Sequence, residues 1–387
     1  MRTSKRHLVA VAILVLAFFS GFAVAKGLDR AAASTTARGQ ADRYRQVIAD
    51  LEGHYYRPVD VAKLGQKGIN SLLASLHDPY TVYFSPQQAK QFGQELSGSY
   101  TGIGVAVDVK AGRLTVTKVF PGSPAASAGI APGEVIVSVN GTPTSGQPAS
   151  ADVTRITGPA GTSVHLQLQR ATKPRRVTLT LTRRPISLPL TTSRLLNDRG
   201  TKVGYVSLSS FAQAAGTRVH DAIAALQKRG AQWIVFDLRD NGGGLVSEAQ
   251  SVASDFLPAG KVVVTTQGAH SARDVIKTTG GTPTMLPLVV LVNGNTASAS
   301  EIVTGALQDY GRGTVIGSKT FGKGVVQTVL PLSGGAELKI TVASYRTPLG
   351  RDINHRGIEP SIVVSGEATA GKDPVLARAL RLIAAGH

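Results

Sequence analysis

Cysteine is absent from this chain of 387 residues. Thiol nucleophiles, disulfide frameworks and cysteine-based metal sites are therefore excluded, and the redox compartment cannot be inferred from cysteine pairing. Aromatic residues are also scarce, at 5%, whereas the chain has 43 glycines and 19 prolines. This balance indicates many tight turns around a core of small side chains rather than a fibrous or disordered protein.

Acidic residues are few relative to basic ones. The chain has 24 Asp and Glu against 42 Lys and Arg, which gives a formal net charge of +18. No basic run interleaved with aromatic residues and no recognisable nucleic-acid-binding motif is present, so we expect no nucleic-acid partner. Anionic lipid headgroups or cell-envelope polymers suit the charge better, and a generally basic solvated surface accounts for it most simply.

The N-terminal segment indicates export. Arg2, Lys5 and Arg6 precede an uncharged run from Leu8 to Ala25, which ends in Ala-Val-Ala, the small-x-small form of a signal peptidase site. The run has 18 residues, at the lower limit for crossing a bilayer. A cleaved signal peptide and a retained signal anchor therefore both stay open, with a slight preference for the anchor. We expect an extracytoplasmic protein, in the periplasm or cell envelope or secreted.

The chain is long enough, with 42% hydrophobic content, to form more than one folded unit. Apolar residues at helical spacing are followed by short alternating strands, and then by strands that alternate with helical stretches. The expected fold class is α/β, with an inserted β-rich module and an N-terminal helical segment. The expected boundaries after residues 1–25 are a linker at 26–40, the helical region at 41–97, the β-rich module at 98–183, the α/β core at 184–366 and a C-terminal helix at 367–387.

Ser298 lies where a buried strand is expected to turn into a helix. The stretch Leu286–Gly311 is typical of a strand, a turn at Asn293-Gly294-Asn295 and then a helix. Such a turn exposes the serine hydroxyl, and the N–H groups of the first helical turn can stabilise a developing oxyanion. Serine is also a preferred helix N-cap, so a cap is the stronger interpretation on this evidence alone.

A serine nucleophile needs a base, and none of the eight histidines lies in a glycine-rich or turn-rich catalytic context. Lys323, by contrast, lies between Gly322 and Gly324 and is followed by two valines. Burial disfavours a charged amine and can lower its pKa by up to about 3–5 units, which would make the free amine a usable base. A surface turn is the competing interpretation for a lone glycine-flanked lysine.

Three consecutive glycines, Gly242–Gly244, follow an expected buried strand and the polar residues Arg239 and Asn241. Their bare backbone can approach a substrate closely. Neither the G-x-G-x-x-G pattern nor the P-loop pattern is present here, so phosphate binding has little support. An ordinary glycine turn stays open.

These three segments together resemble the C-terminal processing peptidases, also called tail-specific proteases. Lys323 follows Ser298 by 25 positions, Gln327 follows four further on, and the matching runs are Thr296–Glu301, Phe321–Gln327 and Asp237–Gly244. The resemblance implies a protease core of the crotonase and ClpP type. It also implies that Ser298 is the acyl-forming nucleophile, Lys323 the general base and Gln327 the side chain that orients the lysine amine. No metal or cofactor is implied.

The same resemblance implies an oxyanion hole beside the nucleophile. Its donors would be the N–H of Ala299 and one from the glycine run, with Gly243 as first choice and Gly244 as a close second. The implied mechanism is acyl transfer to Ser298, followed by hydrolysis of the ester by water that Lys323 activates, a variant of the serine triad.

The β-rich module resembles a PDZ domain. Tyr100–Val105 is similar to the carboxylate-binding loop of such domains, and Gly133–Gly141 to a later strand and turn. Backbone N–H groups of the loop would hold a terminal carboxylate while the peptide adds a strand to the sheet edge. Plain turn glycines are the alternative. The residues expected to contact the peptide are Gly102, Ile103, Gly104 and Val105.

The leading hypothesis is an exported serine endopeptidase that engages apolar C-terminal tails of proteins or peptides and cleaves nearby. A catalytically silent PDZ peptide-binding scaffold is the alternative, and the intact Ser298, Lys323 and Gln327 argue against it. A small-molecule acyl-transfer or hydratase enzyme on a crotonase-like core is a weaker third option, since fold does not fix function. Membrane contact through the N-terminal segment and a homo-oligomer are both compatible with the sequence.

Overall fold

The structure is a computed structural model that describes residues 35–110, 112–146, 149–170, 176–366 and 372–386. The apolar segment expected to direct export, residues 8–25, lies outside this part of the chain. None of the described helices combines the length and apolar character needed to cross a bilayer. The described chain divides into two compact units. Gly93–Pro189 forms one, and the residues up to Phe92 together with those from Leu190 form the other.

The N-terminal region is helical, as the spacing of its apolar residues predicts. It contains α1 (Thr35–His54), α2 (Val61–Ala74), a short strand β1 (Val82–Phe84) and α3 (Pro86–Ser97). Asp60 caps α2, because its carboxylate accepts the N–H of Lys63 at 2.9 Å. The strand was not expected, since a segment this short shows no alternating pattern. It forms through antiparallel pairing with a distant strand of the core.

The unit from Gly93 to Pro189 is a small antiparallel β structure. Its elements are β2 (Ser99–Gly102), β3 (Val105–Lys110), β4 (Arg113–Val119), α4 (Pro124–Ser127), β5 (Val135–Val139), β6 (Thr142–Pro143), α5 (Ala149–Ile156), β7 (Ser163–Gln169), β8 (Arg176–Thr182) and β9 (Arg184–Ser187). The sheet order is β3-β4-β5-β7-β8, with β6 paired to β5, so β3 is an edge strand. β2 pairs with β9 and joins the two ends of the unit. The core is aliphatic and includes the fully buried Ile103, Ile136 and Leu166.

The second unit is an α/β core. Its elements from Leu190 onward are β10 (Thr191–Asp198), β11 (Thr201–Leu208), α6 (Ala215–Lys228), β12 (Trp233–Asp237), α7 (Val246–Ser254), β13 (Val262–Gly268), β14 (Ser271–Lys277), β15 (Leu288–Val292), α8 (Ala299–Asp309), β16 (Thr314–Gly317), β17 (Val325–Pro331), β18 (Glu337–Arg346), β19 (Ile362–Val363) and α9 (Pro374–Ala384). The main sheet has the order β10-β11-β12-β15-β16-β19, and a second sheet has the order β1-β18-β13-β14, with β17 also paired to β18.

The main sheet is parallel from β11 to β19 and is covered on both faces. Phe236 and Val290 pack in one cluster with α6, α7 and α8, whereas Val235 and Leu291 pack in another with α9. This explains why β15 is a continuous apolar run, since all five of its residues are buried. Because β12 and β15 are parallel neighbours, the loops that follow them meet at the same edge of the sheet.

The C-terminal helix is anchored to the loop after β12 by one carboxylate. Asp373 caps α9, accepting the N–H of Leu376 at 3.0 Å, and also receives the guanidinium of Arg239, with two contacts of 2.8 Å. Arg239 in turn contacts Asp237 at the end of β12, at 2.6 to 3.0 Å. Hydrogen bonds to these two carboxylates raise the pKa of Arg239 above its usual value against the opposing effect of burial. The glycine run therefore begins beside a fixed ion-pair cluster.

Candidate active site

Ser298 lies on the turn between β15 and α8, immediately before the helix. Its backbone has φ 56° and ψ −118°, a conformation that non-glycine residues rarely adopt. Strain of this kind persists only where the surroundings enforce it, and it is concentrated at functional sites. The side chain is fully buried, and Oγ makes no hydrogen bond within the described chain. Ser298 therefore holds the N-cap position of α8 without a capping hydrogen bond from its own hydroxyl.

The glycine run packs directly against this turn. A Cβ added to Gly243 would lie 2.7 Å from the carbonyl oxygen of Ala297 and 2.9 Å from Cβ of Ser298, and the residue has φ +104°. Only glycine therefore fits there without displacing Ser298. Asn241 secures the contact, because its carbonyl accepts the N–H of Ala297 at 3.0 Å and the hydroxyl of Ser300 at 2.8 Å.

The expected oxyanion donors differ in their hydrogen bonding. The N–H of Gly243 donates to Oδ1 of Asn241 at 2.9 Å. The N–H groups of Ala299 and Gly244 donate no hydrogen bond within the described residues. Ala299 is at the N-terminus of α8, where backbone N–H groups attract negative charge. In this state, Ala299 and Gly244 hold the donors available to an oxyanion.

Lys323 is buried because its neighbours allow the chain to pass against a second loop. A Cβ at Gly322 would lie 2.9 Å from the backbone nitrogen of Gly357, and a Cβ at Gly324 would lie 2.5 Å from that of Asn354. The flanking glycines thus permit close backbone contact and do not mark a surface turn. Lys323 is 3% exposed, and its Nζ lies 4.8 Å from the ring centroid of Tyr80.

Burial lowers the pKa of the Lys323 amine from 10.5 to about 7. The positive charge of Lys339 lowers it further, whereas the carboxylates of Asp78 and Glu301 oppose the shift. A pKa near neutrality leaves a substantial fraction of free amine at physiological pH, as a general base requires. No hydrogen bond joins this amine to Ser298 Oγ in the structure, since that oxygen has no partner among the described residues.

Glu301 connects the segments that contain Ser298 and Lys323. Its buried carboxylate accepts the N–H of Ser298 at 2.9 Å and that of Lys323 at 2.9 Å. It also accepts the N–H of Gly322 at 2.8 Å and the hydroxyl of Thr320 at 2.6 Å. Burial raises the pKa of Glu301, and these hydrogen bonds partly offset the rise. The sequence shows Glu301 within the serine motif, but no role was inferred for it.

Tyr345 makes a second connection between the same segments. Its buried hydroxyl lies between the carbonyl oxygens of Ser298, at 3.2 Å, and Lys323, and its single proton is shared between them. Burial raises the pKa of Tyr345 well above its usual value, so it remains a donor. No local sequence pattern indicates this residue, because Tyr345 on β18 is 47 positions from Ser298 and 22 from Lys323.

Gln327 is fully buried on β17, four residues after the lysine. Its Nε2 donates to the hydroxyl of Thr341 on β18 at 3.3 Å, and its Oε1 has no hydrogen-bond partner within the described chain. The orienting role implied for Gln327 stays a prediction. The unpaired acceptor is available for it.

The residues expected to bind a peptide lie at the start of the β-rich unit. Gly102 ends β2, Gly104 follows the loop, and Val105 begins the edge strand β3. Val105 is half-buried, whereas Ile103 is fully buried in the core of the unit. An edge strand with free backbone groups is suited to peptide addition, and the assignment of these residues stays a prediction.

The fold and this site define a serine-type peptidase core combined with a PDZ domain. Residues 202–364 match the profile of Peptidase family S41, and residues 115–170 match that of the PDZ domain. The α/β core, the β-rich PDZ insertion and the N-terminal helices predicted from the sequence are confirmed.

Similar proteins narrow the classification of this chain to one family. The carboxy-terminal processing protease CtpA of Bacillus subtilis (strain 168) is 34% identical over 329 residues, covering 85% of this chain and 70% of that protein. A probable CtpA-like serine protease of Staphylococcus aureus (strain COL) is 34% identical over 363 residues, covering 92% and 70%. The structure of a photosystem II D1 C-terminal processing protease is 30% identical with a TM-score of 0.53, covering 90% of this chain and 98% of that one. The chain belongs to the carboxy-terminal processing proteases of Peptidase family S41.

Proposed function

We propose that this protein is an exported endopeptidase that recognises C-terminal tails through its PDZ domain and cleaves by a Ser-Lys mechanism. The observation that carries the proposal is the connection of Ser298 and Lys323 through Glu301 and Tyr345, with the lysine amine buried. A buried lysine amine and a strained serine whose hydroxyl has no partner within the described chain both cost folding free energy, and such costs are concentrated at functional sites.

In the first half of the reaction, Ser298 Oγ attacks the scissile carbonyl carbon while its proton passes to the neutral Lys323 amine. The negative oxygen is stabilised by the N–H of Ala299 and an N–H of the glycine run, Gly243 or Gly244. The C–N bond then breaks, and the Lys323 ammonium returns a proton to the leaving amine. Gln327 orients the amine throughout.

In the second half, Lys323 takes a proton from water, and the resulting hydroxide attacks the carbonyl carbon of the ester. A new C–O bond forms, and the ester bond to Ser298 breaks. The proton returns to Ser298 Oγ, and the carboxylic acid product leaves. Every proton transfer uses the same amine, so a metal is not needed to balance these steps. The amine must first come within hydrogen-bond reach of Oγ, and catalytic contacts often tighten only when substrate binds.

Substrate recognition is assigned to the β-rich unit. A peptide would extend the sheet along β3, with its terminal carboxylate at Gly102 and Gly104 and an apolar side chain near Ile103 and Val105. Ile103 is buried, so an apolar side chain there requires a local adjustment. Partners are thus proteins or peptides with apolar tails, and the domain boundaries at 98–183 and 184–366 remain part of this proposal.

Localisation outside the cytoplasm is inferred from the basic residues and apolar run of residues 1–25. Expression of the full chain in a bacterial host, followed by N-terminal sequencing and fractionation, tests this inference. A mature N-terminus near Lys26 would indicate a signal peptide, and an intact chain in the membrane fraction would indicate an anchor. Intact protein in the cytosol would refute export.

The catalytic proposal is tested with an unstructured substrate that ends in apolar residues, incubated with the wild type and with Ser298→Ala and Lys323→Ala. We expect cleavage by the wild type alone. Equal cleavage by all three would refute the mechanism. Tight peptide binding without cleavage by the wild type would instead support a non-catalytic PDZ scaffold.

A further inference from the structure

Gln327 has a defined amide orientation in a site that leaves its acceptor unused. Its Nε2 donates to Oγ1 of Thr341, which lies opposite it in the antiparallel pairing of β17 and β18. Its Oε1 is buried and makes no hydrogen bond within the described chain. A buried amide oxygen without a partner is costly, which points to a partner acquired during the reaction. If the oxygen and nitrogen of the Gln327 side-chain amide exchanged places, the site would lose that acceptor.

A chain of polar groups explains why Thr341 receives the amide nitrogen. The hydroxyl of Thr81 donates to Oδ2 of Asp78 at 2.6 Å and accepts the N–H of Thr341 at 3.1 Å. Burial alone would raise the pKa of Asp78, but interactions with the side chains of Thr81 and Thr341 and with backbone N–H groups together lower it below its usual value. Because an ionised carboxylate only accepts, the orientation of the Thr341 hydroxyl that suits both neighbours directs its proton towards Asp78 while its oxygen accepts from Nε2 of Gln327.

The same short segment also reaches the general base. Tyr80, between Asp78 and Thr81 in sequence, places its ring centroid 4.8 Å from Nζ of Lys323. β1, which follows, pairs with β18 beside Thr341, with Val82 opposite Lys339. Segment 78–81 therefore contacts the general base through Tyr80 and the strand opposite Gln327 through Thr81.

We propose that Asp78 is a positioning residue that acts through Thr341 to fix the polarity of the Gln327 amide, so that Oε1 accepts a hydrogen bond from the Lys323 amine. This rests on the proposed Ser-Lys function. The role is one of positioning and not of catalysis, because Asp78 and Thr341 act on the amine through Gln327.

The role of the Thr341 hydroxyl is tested by replacing Thr341 with valine, which keeps the shape of the side chain, and with serine, which keeps the hydroxyl. A small misplacement of a catalytic group costs on the order of 10- to 100-fold in rate. We expect Thr341→Val to lose this much kcat with little change in KM, and Thr341→Ser to retain kcat within about 3-fold. Thr328→Val, on the same pair of strands and buried but outside the chain of polar groups, is the matched control and should match the wild type.

A double-mutant cycle with Gln327→Met separates positioning from general damage. If Thr341 acts through Gln327, Thr341→Val should cause no further loss in the Gln327→Met protein. Additive losses would overturn the proposal. Full activity of Thr341→Val beside an impaired Gln327→Met would also overturn it while leaving the proposed function intact. Cleavage by Ser298→Ala at the wild-type rate would refute the function itself.

Asp78→Asn gives a signature that structural damage would not produce. The charged and aromatic groups around the Lys323 amine are Asp78, Glu301, Lys339 and Tyr80. Removing the Asp78 charge removes an influence that raises the pKa of Lys323, so the acid limb of the kcat profile should move to lower pH while the plateau falls. An unchanged plateau would overturn the proposal, and so would a lower plateau with no shift of the limb.

Discussion

Replacing Lys339 with methionine should raise the pH at which peptide cleavage becomes half-maximal. Lys339 is fully buried on β18, with Nζ 5.4 Å from the ring centroids of Phe84 and of Phe92. After burial, its charge is the largest cause of the lowered pKa of Lys323. Methionine is unbranched and uncharged and suits an aromatic surrounding. The variant therefore removes the charge while filling most of the space.

The size of the wild-type response follows from the Lys323 pKa of about 7. The free amine is about 9% of the total at pH 6 and about 91% at pH 8, so kcat/KM should rise about tenfold over this interval and then level off. An amine with the usual pKa of 10.5 would give a rise of about 100-fold over the same interval, with no plateau. In the variant, each unit of upward shift lowers the acid-side rate about tenfold.

The assay measures initial rates on an unstructured peptide with an apolar tail from pH 5.5 to 10. Lys277→Met, which removes an exposed lysine from β14 in the same sheet, is the matched control and should keep the wild-type midpoint. A Lys339→Met midpoint that equals the wild type would refute the electrostatic coupling. A wild-type profile that climbs without a plateau would refute the lowered pKa of Lys323.

Three further changes test other parts of the site. Gly243→Ala should abolish cleavage, because its Cβ would lie 2.7 Å from the carbonyl oxygen of Ala297, and near-normal kcat would contradict the close approach. Glu301→Gln should lower the free energy of unfolding by about 2–3 kcal/mol, since an amide cannot accept every donor of the carboxylate, as denaturant titration would measure; an unchanged midpoint would contradict this. Lys323→Met should abolish an increase in the free energy of unfolding that the wild type shows as the pH rises. Between pH 7 and 10.5 only the unfolded lysine holds its proton, so wild-type stability rises with pH by up to about 5 kcal/mol, and equal slopes in the two proteins would argue against a buried neutral lysine.

Much of the fold could be predicted from local patterns. The apolar run of β15 and the small-residue helix α8 are visible in the sequence, and so is the turn between them, because each depends on neighbouring residues. The predicted nucleophile and base are indicated only by the joint occurrence of three segments. Ser298 alone suggests a helix cap, and Lys323 alone suggests a surface turn. In the structure, the glycines beside Lys323 allow the chain to pass close to the loop at residues 354–357, and no local sequence pattern indicates this contact.

The contacts that hold the site together could not be predicted from a single sequence. Glu301 lies in the serine motif, but its hydrogen bonds to the N–H groups of Gly322 and Lys323 depend on tertiary packing. β1 was missed because it is short and forms only by pairing with β18. The same pairing connects Asp78 to Thr341 through the Thr81 hydroxyl, across a sequence separation that no periodicity spans. Short segments stabilised by distant partners are where sequence patterns are least informative.

The carboxylate of Asp373 has a practical consequence for truncation of the chain. It caps α9 and binds Arg239 at the same time, and α9 in turn covers one face of the main sheet through Val375 and Ala379. A chain shortened to before Asp373 would lose a helix, uncover that face and leave Arg239 with one counter-ion beside the glycine run. Helix α9 is therefore part of the folded core, and a shortened form of this enzyme should keep it.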